Sequence, residues 1–299
     1  MGLANVLPIQ EATMYVVAGI TGNTGSVVAS TLLERKAPVR VIVRDAAKGE
    51  TWKARGAEVA VADLSDQAAL TAALKGATGA YLLVPPRPTS AAPLQENRAL
   101  IASLAGAVTA SKLPHVVLLS SIGAQHPDGT GPIVSAHDAE VALAPLTALT
   151  AVRAGFFMEN MLASLGGLAH DILPVFWKTD RAISMVATAD IGRTAATALL
   201  EGPRGQQRLE LSGPRELSPI DVAAILSELV GKKINATQGP LEAVVPTFIS
   251  FGISKAVAEL YTELYAGIDN GRIAWSGEGR ALRGSVEIAE VLRPALKAA

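Results

Sequence analysis

Cysteine is absent from the 299 residues. That removes disulfides, thiolate metal sites and cysteine nucleophiles together, and it fits a reducing, cytoplasmic setting. No His/Asp/Glu spacing has the pattern of a metal-ligand set, so no metal is expected. Charge is sparse as well: 18% of residues, a net charge of −1, and basic residues that are scattered. No electrostatic footprint for nucleic acid is present. Uncharged runs such as Ala99–Ser111 stop well short of a membrane span. Residues 1–13 carry Glu11 as their only charge and no basic n-region. They read as a short N-terminal arm rather than a signal peptide. The expectation is a soluble chain with no membrane and no nucleic-acid partner.

What is present is apolar and periodic. Hydrophobic residues make up 49% of the chain, enough for a sizeable core in one large α/β domain with a smaller companion. The organising stretch is MYVVAGITGNTGSVVAST, Met14 to Thr31. Tyr15–Ala18 has the composition of a buried parallel strand. Gly19, Gly22 and Gly25 follow at spacings of three, and apolar residues then recur at helical intervals. Strand, glycine turn and helix together open a dinucleotide-binding βαβ unit. Glycine lets a pyrophosphate approach the backbone, and a helix start offers unpaired N–H groups and the positive end of a dipole. The spacing is GxxGxxG rather than GxGxxG. The assignment therefore leans on the strand before it, the helix after it and a second strand at Val39–Val43.

Arg44 stands at the end of that second strand, where a carboxylate commonly bonds a ribose 2′-hydroxyl. A guanidinium there suits a 2′-phosphate and points to NADP, although the adjacent Asp45 is available for a hydroxyl. A third strand is expected at Ala57–Leu64. Asp63 and Leu64 at its end are candidates to grip adenine; Asp63 is equally a candidate N-cap for a helix over Gln67–Leu74, with Ser65 competing. A fourth strand, Ala80–Val84, runs into Pro85-Pro86-Arg87-Pro88, a rigid extended loop facing the crevice. A helix over Leu94–Ser111, a strand at His115–Leu119 ending in Ser120-Ser121, a helix at Ser135–Leu143 and a strand at Leu149–Arg153 complete the alternation. The pattern predicts a Rossmann-type, doubly wound parallel sheet over residues 14–168. Residues 183–212 are expected to return to it, and residues 169–182 and 213–299 to form a smaller C-terminal α/β substrate lobe. In that lobe Ser218-Pro219 opens an amphipathic helix to Val230, and helices are read near Leu241–Ser250 and Lys255–Tyr265 before a Gly/Arg-rich tail at Gly277–Gly284.

GITGNTG at 19–25, IVRD at 42–45, SSIGA at 120–124, SAHDAEVAL at 135–143, VRAGFFMEN at 152–160 and TADIGRTAATAL at 188–199 together resemble the NmrA-like branch of atypical short-chain dehydrogenase/reductases. That branch includes type 2 quinone oxidoreductases, triphenylmethane reductase and an NADP-sensing regulator. The resemblance spans about Met14 to Leu292. It implies that Gly19, Thr21, Gly22, Asn23, Thr24 and Gly25 wrap the pyrophosphate and that Arg44 meets the 2′-phosphate. It further implies that Leu83, Val84 and Pro85 line the nicotinamide ribose while Gly155, Phe156 and Phe157 close over the nicotinamide. Ser120 is assigned to the cofactor. Pro86, Ser121, Phe156, Phe157, Phe176 and Trp177 are assigned to the acceptor, although an aromatic cluster of this kind also serves as plain core.

The wider superfamily carries Tyr-xxx-Lys, in which tyrosine donates a proton and lysine holds the ribose. The corresponding window here is Ile133-Val134-Ser135-Ala136-His137. No tyrosine lies near it in sequence, and His137 takes the lysine's place. His137 is the candidate for ribose binding or proton relay, against a structural role satisfied by local hydrogen bonds. Reducing a ketone leaves an alkoxide that needs an acid partner. A quinone leaves a phenolate-like anion, whose conjugate acid has a pKa of about 10, so it tolerates the missing tyrosine. Two functions follow: an NADPH-dependent oxidoreductase acting on a small conjugated acceptor, or an NADP-binding redox sensor. Monomer and homodimer are both open.

Overall fold

The computed structural model describes residues 13–298; the expected arm falls outside the described residues except for Thr13. In chain order the first half holds β1 (Tyr15–Val17), α1 (Asn23–Glu34), β2 (Val39–Val43), α2 (Glu50–Ala54), β3 (Glu58–Val61) and α3 (Gln67–Leu74). It continues with β4 (Gly79–Leu82), α4 (Pro93–Ser111), β5 (His115–Ser121), α5 (Val134–Leu143) and β6 (Ala148–Ala154). Next come β7 (Phe156–Phe157), a run of 3-10 turns at Met158–His170, β8 (Ile172–Val175), β9 (Ile183–Val186), α6 (Thr188–Glu201) and β10 (Gln207–Ser212). The C-terminal part has β11 (Glu216–Leu217), α7 (Pro219–Val230), β12 (Asn235–Gln238), α8 (Val244–Ser250), α9 (Lys255–Asp269), β13 (Arg280–Arg283) and α10 (Ile288–Ala298).

The main sheet runs β13-β10-β6-β5-β4-β1-β2-β3, with every pairing parallel. β1 lies between β2 and β4, with Tyr15 opposite both Val39 and Gly79. The order therefore reverses at β1, and a ligand crevice opens beyond the carboxyl ends of the strands at such a switch point. Successive side chains leave a strand on opposite faces. Val17 and Tyr81 accordingly join Val28, Leu32, Ala195 and Leu199 under α1 and α6. Val16 and Leu82 join Leu74, Leu104 and Leu143 under α3, α4 and α5. A third apolar cluster, with Met158, Leu173, Trp177, Leu226, Tyr265 and Leu292, is the core of the smaller lobe.

Three expectations change. The Gly/Arg-rich tail is no lobe element: β13 extends the main sheet along β10. It covers an otherwise open edge, and its exposed arginines suit an edge strand. β9 does not return to the sheet but pairs with β7 and β11. Ser65 and Asp63 do not cap α3; Asp66 does, accepting from the N–H groups of Ala68 and Ala69 at 3.0 Å each. The Ser218 cap is present and closes a capping box with Asp221.

Candidate functional site

The turn after β1 is set by Gly19, whose φ of +69° lies in the left-handed region. Gly22 closes it by donating its N–H to the Gly19 carbonyl at 2.9 Å. Gly22 is also the N-cap of α1, with ordinary extended backbone (φ −102°, ψ 174°) and no side-chain cap bond to the helix start. Among the described residues, a Cβ on Gly22 meets nothing nearer than the Gly19 carbonyl oxygen at 3.4 Å. A Cβ on Gly25 instead meets backbone oxygens of Gly19 and Ala18 at 2.5 and 2.6 Å. Neither backbone strain nor packing requires a glycine at 22, so the free space there is the feature itself. It faces uncapped N–H groups, the donor set a pyrophosphate needs. Thr24 is held beside it by the buried Tyr81 hydroxyl, which donates to Thr24 Oγ1 at 2.8 Å.

A cavity of about 790 Å³ spreads from this turn across the carboxyl edge of the sheet. Gly19, Gly22, Asn23 and Thr24 line one end, and Leu83, Val84, Pro85, Pro86, Ser120, Ser121, Gly155, Phe156 and Phe157 line its middle. Thirteen residues assigned from sequence thus meet on one surface. Ser120 is not free: its hydroxyl donates to buried Glu140, which is paired with Arg153 at 2.9 and 2.7 Å. Its hydrogen is committed, leaving only oxygen lone pairs toward the cavity. The conspicuous acid of VRAGFFMEN, Glu159, is structural. It accepts from the Thr188 N–H at 3.0 and 3.1 Å and the Thr188 hydroxyl at 2.6 Å, fixing the start of α6 on the cavity wall.

Thr21 and Arg44 are exposed beside the turn and the end of β2, off the cavity wall. Asp63 accepts from the Ser65 N–H at 2.8 Å and the Ser65 hydroxyl at 2.6 Å. Those bonds, with smaller help from Arg44 and Arg87, hold its carboxyl below the usual range. Two guanidinium groups therefore attend the corner beyond β2 and β3. Leu64 packs on the sheet's second core, and Gly25 is inside α1.

Three assignments move away from the cavity. His137 turns to a second, smaller cavity shared with Glu140, Val141, Arg153 and Arg208, and its Nδ1 lies 2.9 Å from the Ala124 carbonyl oxygen. Phe176 and Trp177 are lobe core rather than cavity wall: Trp177 is buried and stacks on Tyr265 at 5.7 Å, and Phe176 packs at 5.5 Å on the same ring.

The sequence reading missed the far wall. Asn97, Ser135, Arg181 and Glu216 line the cavity, as do Tyr261, Leu264 and Ile268 from α9 and Ile273 and Trp275 from the segment after it. A tyrosine does reach the cavity, contrary to what distance along the chain suggested. Burial raises the Tyr261 pKa, so its hydroxyl keeps its proton at neutral pH and remains a donor. The spacing 261, 264, 268 on one helix face was the available signal, but an aromatic helix stripe also describes ordinary core.

Comparisons with known proteins cover most of the chain. It is 31% identical over 255 residues to the NAD(P)H azoreductase of Xenophilus azovorans, covering 85% of this chain and 86% of that protein. It is 27% identical over 268 residues to quinone oxidoreductase 2 of Escherichia coli, covering 86% and 89%. In fold it matches the triphenylmethane reductase of Citrobacter sp. with a TM-score of 0.76 at 20% identity, covering 95% of this chain and 99% of that one. With the NmrA-like family matched over residues 11–278, the chain belongs to that family.

Proposed function

We propose that the chain is an NADPH-dependent oxidoreductase that delivers a hydride to a small conjugated acceptor such as a quinone. The observation that carries this reading is the open cradle at Gly22, which faces an uncapped helix start and continues into one 790 Å³ cavity at the sheet's switch point. The turn residues Gly19, Thr21, Gly22, Asn23, Thr24 and Gly25 fit a pyrophosphate. Arg44 gives the adenosine end its cationic reader for a 2′-phosphate, with Asp63 and Leu64 beside it. Leu83, Val84 and Pro85, with Gly155, Phe156 and Phe157, would flank the ring end and keep water from it. The names of the azoreductase and quinone oxidoreductase relatives support the same class of chemistry.

When bound, NADPH supplies a hydride, and one proton from water completes a hydroquinone. The chain's share is orientation and exclusion of water. No Tyr-xxx-Lys pair is present, and the anion left on a quinone needs little acid help, since its conjugate acid has a pKa of about 10. Tyr261, which lines the cavity and keeps its proton at neutral pH, would be the chain's own candidate donor to that oxygen. NADPH consumption with a panel of quinones tests the proposal, and turnover is the expected result. Tight NADPH binding with no turnover on any acceptor would favour the sensor reading instead.

A further inference from the structure

The molecule has three tryptophans, and two are used by the fold. Trp52 is buried under the guanidinium of Arg55, 4.5 Å from its ring centre, and Trp177 is buried against Phe156 and Tyr265. Trp275 differs. It is half-buried, it lines the large cavity, and among the described residues its ring stacks on no other aromatic side chain.

The backbone that carries it is clamped. Glu210, itself buried, accepts from the Ser276 N–H at 3.1 Å, the Ser276 hydroxyl at 2.7 Å and the Gly277 N–H at 3.1 Å. Arg153 reaches the Ser276 hydroxyl at 3.2 Å, and on the other flank Gln125 donates to the Ala274 carbonyl at 2.9 Å. Ile273 packs beside Gly123, just past the end of β5. The segment therefore lies over the half of the crevice formed by β5 and β6, away from the adenosine half on β1–β3. A large flat side chain on a fixed backbone at a cavity wall loses little entropy when a ring stacks on it.

We propose that Trp275 is the platform on which the acceptor stacks, so that the site selects flat, fused or conjugated ring systems. The proposal rests on the oxidoreductase reading for what happens to the acceptor, but binding can be measured without turnover. The probe is 2-methyl-1,4-naphthoquinone, titrated calorimetrically into the NADP⁺-loaded protein and into the protein alone. Trp275→Ala weakens naphthoquinone binding about tenfold, as expected for loss of an aromatic pair with its buried area. Trp275→Leu, which keeps apolar bulk but removes the flat π face, remains weak. Trp275→Phe recovers most of the affinity. Single-ring benzoquinone, with less overlap, loses less than naphthoquinone in Trp275→Ala. Circular dichroism establishes that each variant is folded, and the Phe and Leu pair decides the matter if the alanine protein is not. Equal naphthoquinone affinity in wild type and a folded Leu or Ala variant overturns the platform, as does failure of the wild type to bind the naphthoquinone at all. A wild type that binds it through Trp275 yet oxidises no NADPH sinks the oxidoreductase reading and leaves the platform standing.

Discussion

Gly22→Val separates a turn from a ligand cradle. The backbone at 22 is ordinary extended chain, and among the described residues a Cβ there meets only the Gly19 carbonyl oxygen, at 3.4 Å. Replacing an N-cap glycine with valine costs at most about 1 kcal/mol, partly offset by the lower entropy of the unfolded chain. The melting temperature should therefore move by no more than a few degrees. Binding is another matter. The new side chain fills the space in front of the helix start, and loss of two charge-assisted hydrogen bonds at about 1.5–3 kcal/mol each weakens NADP⁺ at least a hundredfold. The controls are the flanking glycines. Gly25→Ala forces a Cβ to within 2.5 Å of a backbone oxygen, a packing cost of about 1–3 kcal/mol. Gly19→Ala places alanine at φ +69°, at about 1–2 kcal/mol. Both should melt lower than Gly22→Val. The assays are thermal melts by circular dichroism and calorimetric titration with NADP⁺. A folded Gly22→Val protein with wild-type affinity would refute the cradle, and one that melts as low as Gly25→Ala would refute the claim that position 22 is unstrained.

Arg44→Ala should erase most of the preference for NADPH over NADH, by about 1.5–3 kcal/mol for a charge-assisted contact; equal cofactor affinities in the wild type would rule this out. His137→Ala should leave NADP⁺ affinity and turnover within about twofold of wild type, because the ring faces the second cavity; a clear loss of either, measured by titration and steady-state rates, returns His137 to the site. Burial lowers the His115 pKa to about 4. The unfolded chain binds this proton near pH 6.5, so the contribution is complete above that pH and falls as pH drops toward 4, by roughly 3 kcal/mol in all. His115→Gln should flatten that acid limb in melting temperature against pH, and parallel curves for the two proteins would count against it.

The sheet was legible because its signals are local. The central strands β1, β4 and most of β5 are short uncharged buried runs, β2 and β6 are mostly apolar runs with one arginine each, and each helix is an adjacent periodic stretch. What failed was non-local. Nothing near Arg280–Arg283 reveals that β10 leaves an edge for it to cover, because the partner lies about seventy residues upstream. Phe176 and Trp177 have a composition that suits a pocket or a core equally. Packing on residues distant in sequence, Tyr265 and Phe156 among them, decides for core. Asp190, in the motif at 188–199, likewise has its role set from afar: its carboxylate accepts from the N–H groups of Ser285 and Val286 at 2.9 Å each.

The candidate site divides along the same line. The half that the proposal gives to the cofactor comes from Gly19 to Thr24 and from strand ends whose positions follow from the βαβ pattern. The wall that the proposal gives to the acceptor is gathered from Asn97, Ser135, Arg181, Tyr261 and Trp275, which no spacing rule connects. His137 shows why counting from a motif is not enough. Residues 137, 140, 141 and 144 fall on one helix face at i, i+3, i+4 and i+7, and all four line the second cavity. The rotation of α5 that puts them there is held by Glu140, whose carboxylate is bonded to Arg153 in the sheet and to Ser120 at the end of β5. A carboxylate buried in that pair cannot turn to solvent without leaving Arg153 unpaired, a cost of several kcal/mol. With Glu140 so anchored, Ile133, Ser135 and Ala136 face the large cavity and His137 does not. The histidine occupies the lysine's place in sequence, but a buried ion pair three residues later decides where it points.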